Sequence, residues 1–153
     1  MSPRLNANLA APDAMKAVVA LDKYVHRSGL DPSLLELVKT RASQINGCAY
    51  CIHMHTRDAR ARGEREERLY MLSVWRESTL YSARERAALA WAESLTDISR
   101  SRAPDEVYHE VQRHFSQDEL VKLTVAIGLI NVWNRIAIGF RYVHPAAQRA
   151  VSN

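Results

Sequence analysis

The chain has 153 residues, 47% of them hydrophobic and 25% charged, an ordinary composition for a soluble globular protein with one domain spanning residues 1–153. Five glycines and five prolines are too few for a turn-rich β sandwich or barrel, and they favour long helices joined by short loops. The net charge of +4 is spread among acids, as in Arg57-Asp58-Ala59-Arg60, which reads as solvated helix faces and argues against a basic nucleic-acid groove.

In chain order, Pro12-Asp13 opens an apolar-periodic helix (Met15, Val18, Val19, Tyr24, Val25) that stops at Gly29. Asp31-Pro32 starts a second, with Leu34, Leu35, Val38 and Ile45 as its buried side, and Asn46-Gly47 breaks it. A third begins at about Cys48 and ends near Gly63. A short fourth carries Leu69, Leu72 and Trp75. Ser82-Ala83-Arg84-Glu85 is a capping box that opens a helix with Ala87, Ala88, Trp91 and Leu95 inward. Pro104 begins a short helix through Val107, Val111 and Phe115. A second capping box, Ser116-Gln117-Asp118-Glu119, launches the longest helix, which runs to about Tyr142, before His144-Pro145. That helix is apolar on nearly all sides, which predicts the buried centre of the domain or of an oligomer. No segment alternates long enough for a strand. The expectation is an all-α bundle of about seven helices.

The start, Met1-Ser2-Pro3-Arg4-Leu5, lacks the apolar core of a secretory signal. The uninterrupted apolar part of the last helix, Leu123 to Ile130, is far short of the ~20 residues a membrane span needs. A soluble, cytoplasmic protein with neither membrane nor nucleic acid as partner is expected. In that reducing compartment two close cysteines suggest catalysis or metal binding more than a structural crosslink.

Chemistry concentrates in Gly47-Cys48-Ala49-Tyr50-Cys51-Ile52-His53-Met54-His55. Positions i, i+3 and i+7 share a helix face, so Cys48, Cys51 and His55 form one stripe while His53 points elsewhere. Two sulfurs three residues apart can close a disulfide with little movement. The first sits at the positive end of the helix, which favours thiolate, and His55 can take the proton of Cys51 one turn away. If the second and third helices fold back about Asn46-Gly47, Glu36 comes within a turn of His55 and can orient it. Two alternatives remain open on the residues alone. The cysteines could be core filling, or Cys48, Cys51, His53 and His55 could bind zinc, although the two histidines diverge and no second CxxC exists. The glycines form no phosphate-binding loop, so no flavin or nicotinamide cofactor is expected.

The segment Glu36-Leu37-Val38-Lys39, Asn46-Gly47-Cys48-Ala49-Tyr50-Cys51, His55 and Gly63 strongly resembles the signature of the alkylhydroperoxidase D-like, carboxymuconolactone decarboxylase family. Tyr81 to Glu93 and Ile130 to Arg135 are similar to two further blocks of it. The resemblance implies an all-α homo-oligomer, a dimer, trimer or hexamer. It also implies a thiol-dependent hydroperoxide reductase working with a dithiol or thiol-protein reductant. In that pattern Cys51 attacks the hydroperoxide, Cys48 resolves the sulfenic acid, and His55 with Glu36 relays protons. Decarboxylase members generally lack the cysteine pair. The best-known peroxidase members carry a histidine between the cysteines where this chain has Ala49-Tyr50, which gives weight to general disulfide exchange or a redox sensor. A decarboxylase or lactone-processing enzyme of the same fold is the other alternative.

Overall fold

The structure is a computed structural model that describes residues 2–144; Pro145, expected just past the last helix, lies outside them. Among the described residues it is all-α, as expected. The helices are α1 (Ala7–Ala10), α2 (Pro12–His26), α3 (Pro32–Asn46), α4 (Ala49–Ala61), α5 (Glu66–Met71), α6 (Ala83–Thr96), α7 (Ile98–Ser101), α8 (Asp105–His114) and α9 (Gln117–Gly139). A 3-10 turn, Leu72–Val74, extends α5.

Among the described residues nine α-helices replace the seven expected. The two additions, α1 and α7, are single turns of four residues, too short to display an apolar period. Local bonds hold them: the Asn6 side chain accepts from the Asn8 and Leu9 amides. Elsewhere the end signals act as read. Asp31 caps α3 through the Ser33 amide, and both capping boxes are formed reciprocally. The longest helix stops at Gly139, earlier than Tyr142, because Arg141 takes a left-handed conformation with φ 56°.

The most buried helix is α3, with nine of its fifteen residues buried; α9 has eight of 23. Of the two places expected for the longest apolar helix, the centre of the domain is therefore taken by α3. Helix α3 packs on α4, α6 and α9 at once, so even Glu36, Lys39, Thr40 and Ser43 are enclosed. Ile45, expected on its buried side, is instead exposed. The length and hydropathy of α9 would suit a membrane span, but the helix packs along one side on α2, α3 and α6.

Three apolar clusters fill the interior. The largest joins α2, α3, α6, α8 and α9 around Val38, Ala88, Val111, Leu123 and Ile127. A second gathers Leu37, Leu72, Trp75 and Leu89. The third seats Cys48 and Cys51 against Ala42, Ile130 and Ala137. Small residues on α3 and α9 thus let the cysteine-bearing end of α4 approach closely. A polar seam pins α3 to α9: Asn46 Nδ2 donates to Asn131 and Asn134 at 2.9 and 2.8 Å, and Asn134 Nδ2 donates to Ser43 Oγ at 3.0 Å.

Candidate active site

The site begins with a turn. Gly47 follows α3 with φ 71°, a left-handed conformation that favours glycine, and its amide and that of Cys48 cap the end of α3 by donating to Gln44 and Ser43 carbonyls. Cys48 is therefore not the first residue of α4 but its N-cap, with its sulfur accepting the Cys51 amide at 3.3 Å. That places Cys48 Sγ at the positive end of the helix, where a thiolate is favoured. Cys51 lies in the first turn, with its Cα 5.4 Å from that of Cys48, and the two sulfurs are joined as a disulfide. The pair is enclosed, each residue at most 2% exposed.

One turn along α4, His55 is also buried. Its Nδ1 lies 2.8 Å from Glu36 Oε2, so the fold-back about Asn46-Gly47 produces the expected Glu36–His55 contact directly. With Nδ1 donating to the carboxylate, Nε2 is left as the proton acceptor. Burial pushes the Glu36 pKa up, but the His55 hydrogen bond and the nearby Lys39 charge outweigh it and hold the carboxyl below its ordinary value. Glu36 is thus an ionised orienting group. Lys39 Nζ stands 3.6 Å from its other oxygen, Oε1.

Cys51 and His55 open onto a cleft of about 450 Å³. Among the described residues Cys48 is not one of its walls. Met15 and Val19 of α2, Met54 of α4 and Trp133 and Ala137 of α9 make its apolar sides, and Asp22, His26 and Asp58 add polar groups. Tyr50 and Tyr142, edge to face at 5.5 Å between ring centres, stand at another side. His53 does not join the set. It stacks on His144, 5.1 Å between ring centres, which removes it from the zinc arrangement considered above. Of the four residues singled out, Cys51, His55 and Glu36 meet at the cleft and Cys48 backs Cys51.

Sequence reasoning missed the α2 and α9 walls and the buried Lys39. Lys39 had a signal, since Glu36 and Lys39 are three apart on one helix face. The cleft walls had none, because they come from distant segments.

Residues 12–94 match the model of the carboxymuconolactone decarboxylase family. The chain belongs to this family. An uncharacterised protein of Bacillus subtilis (strain 168), YdfG, is 46% identical over 138 residues, covering 90% of this chain and 94% of that one. A solved protein of unknown function from Agrobacterium tumefaciens, provisionally called an antioxidant defence protein AhpD, has 49% identity. Its TM-score is 0.92, over 94% of this chain and 99% of that chain. The debrominase Bmp8 shares the fold, with a TM-score of 0.78 and 22% identity over 91% of this chain and 75% of that one. Family membership and the alkylhydroperoxidase D-like fold anticipated from Glu36, Cys48, Cys51 and His55 are therefore both borne out.

Proposed function

We propose that this protein is a thiol-dependent hydroperoxide reductase whose attacking sulfur belongs to Cys51. The observation that supports this most is the 2.8 Å Glu36–His55 pair on the same cleft as Cys51. His55 Nε2 takes the Cys51 proton, leaving a thiolate. The sulfur attacks the distal oxygen of a hydroperoxide, the O–O bond breaks, and the departing alkoxide takes the proton from His55 and leaves as the alcohol. Cys51 is then a sulfenic acid. The Cys48 sulfur attacks it, forming the disulfide and releasing water. A dithiol or thiol-protein reductant restores both thiols by exchange. The cycle belongs in a reducing compartment, for which we propose the cytoplasm.

The replacement of an intervening histidine by Ala49-Tyr50 favours one other reading, disulfide exchange without peroxide. Consumption of organic hydroperoxide by the reduced protein, measured with several dithiol donors, separates the two. Turnover with Cys51 passing through a sulfenic acid supports the reductase. Efficient reduction of disulfide substrates with no peroxide consumption sinks it.

A further inference from the structure

Lys39 is buried in α3 together with Glu36, the two side chains 3% and 4% exposed. Its ammonium has one carboxylate beside it, 3.6 Å away. Taking a lysine charge out of water is expensive, and an apolar residue of the same length would fill the space at lower cost. The proton transfer that activates Cys51 gives that charge a use.

The Glu36 carboxylate is divided, Oε1 facing Lys39 and Oε2 facing His55. With Lys39 present, the resting set of ammonium, carboxylate, neutral imidazole and thiol has no net charge. Moving the thiol proton to His55 adds one positive and one negative charge, and the set stays neutral. Without Lys39 the resting set is a buried carboxylate with net negative charge, a state relieved by taking a proton from water onto Glu36 or His55. A dyad that already holds that proton no longer accepts the one from Cys51.

We propose that Lys39 is a positioning residue of the thiol site, whose buried ammonium neutralises Glu36 so that the Glu36–His55 pair takes its proton from Cys51 and not from solvent. The lowered pKa of Glu36, with Lys39 among its causes after burial and the His55 bond, agrees with this. The other charged or titratable groups lining the cleft are His26 and Asp22 of α2, Tyr50 and Asp58 of α4, and Tyr142 just past α9. His26 is engaged with Asp22. Helix α9 meets α3 through the neutral Asn131 and Asn134, and on α6 the charge of Glu93 is taken up by Arg41. Among these groups Lys39 is the one cation held against the second oxygen of Glu36.

The inference rests on Cys51 being the activated thiol, and its test leaves peroxide turnover aside. In reduced full-length protein carrying Cys48→Ser, the rate of Cys51 alkylation by iodoacetamide is followed against pH. With Lys39 in place, alkylation should proceed well below the pH of an ordinary thiol. Lys39→Met should move the curve upward by about one unit, a ~10-fold slower reaction near neutrality. Adding Glu36→Gln to Lys39→Met should recover thermal stability, since no lone charge remains buried, but not thiol reactivity. Where Lys39→Met does not fold, Lys39→Gln keeps polarity without charge and is read in the same way. A curve for the Lys39 variant that overlays its Cys48→Ser background makes Lys39 purely structural and overturns the inference. An ordinary thiol curve with Lys39 intact is a different failure: it removes Cys51 as the activated group, and the role of Lys39 with it.

Discussion

Each residue of the site has a duty that its atoms permit. Cys51 faces the cleft while Cys48 does not, which agrees with the proposed division of attack and resolution between them. Cys51→Ser should abolish hydroperoxide consumption, whereas Cys48→Ser should leave a trapped Cys51 sulfenic acid, detected by a sulfenic-acid reagent and mass spectrometry. Wild-type turnover in Cys51→Ser would assign the attack to the wrong sulfur. Glu36 and His55 touch at 2.8 Å and should act as one unit. Glu36→Gln and His55→Ala should each slow peroxide attack ~10–1,000-fold, the usual worth of a positioned acid–base group. The double variant should lose little beyond the worse single one. Strictly additive losses in stopped-flow kinetics would show two independent effects. The Glu36–His55 contact was legible in the sequence because a fold-back of α3 onto α4 about Asn46-Gly47 brings Glu36 within a turn of His55. The pairing of Lys39 with Glu36 had a signal in their spacing, but its burial did not, since charged residues on helices are normally solvated and its enclosure depends on three other helices packing around α3.

At the scale of elements, one backbone conformation links two helices. Gly47 has φ 71° with nothing near the space a side chain would take, so Gly47→Ala meets backbone strain alone. It should cost about 1 kcal/mol, read as a reduced urea midpoint, and it should disturb thiol reactivity too because Cys48 caps α4 from the next position. A variant as stable as the parent would mean that the left-handed turn is unnecessary. Ser82, whose side chain accepts the Glu85 amide while Glu85 accepts that of Ser82, anchors α6. Ser82→Ala should lower stability by about 0.5–2 kcal/mol. The capping boxes were legible because they are local, four residues long and chemically distinctive. The single turns α1 and α7 were not, since four residues cannot show a helical period.

For the whole molecule, charge and apolar surface make opposite demands. Burial pushes the Glu93 pKa up, but hydrogen bonds from Trp75, Arg76 and Arg41 outweigh it and keep the carboxyl below its ordinary value. In Glu85, likewise, bonds from Arg68 and Ser82 outweigh burial. Carboxyls depressed in the folded state add stability that is fully present above their unfolded pKa and disappears as pH falls through the folded one. Thermal stability should therefore be steady from neutrality down to about pH 5 and fall steeply below about pH 4. Glu93→Gln should flatten that fall in a calorimetric pH series. Apolar surface points to assembly. Val121, Val132 and Ile138 of α9 are 63%, 41% and 45% exposed, and we expect them to be covered in a closed homo-oligomer. Light scattering at micromolar concentration should give a multiple of 17.4 kDa. A particle of that single mass would contradict the expectation.

The sequence by itself determined the helical class, most helix ends, and the grouping of Cys48, Cys51, His55 and Glu36. All of these depend on short-range chemistry: an N-cap, a left-handed glycine, a 3.6-residue period, and one reflection through a turn. Only the tertiary structure decided that α3 and not α9 is the most enclosed helix, that Lys39 sits dry against Glu36, and that Met15, Trp133 and Ala137 complete the cleft. These depend on contacts between distant parts of the chain, such as Asn46 with Asn134, 88 residues apart. No local pattern encodes such a pairing, because it is set by which faces of α2, α3, α4 and α9 fit together once the core closes.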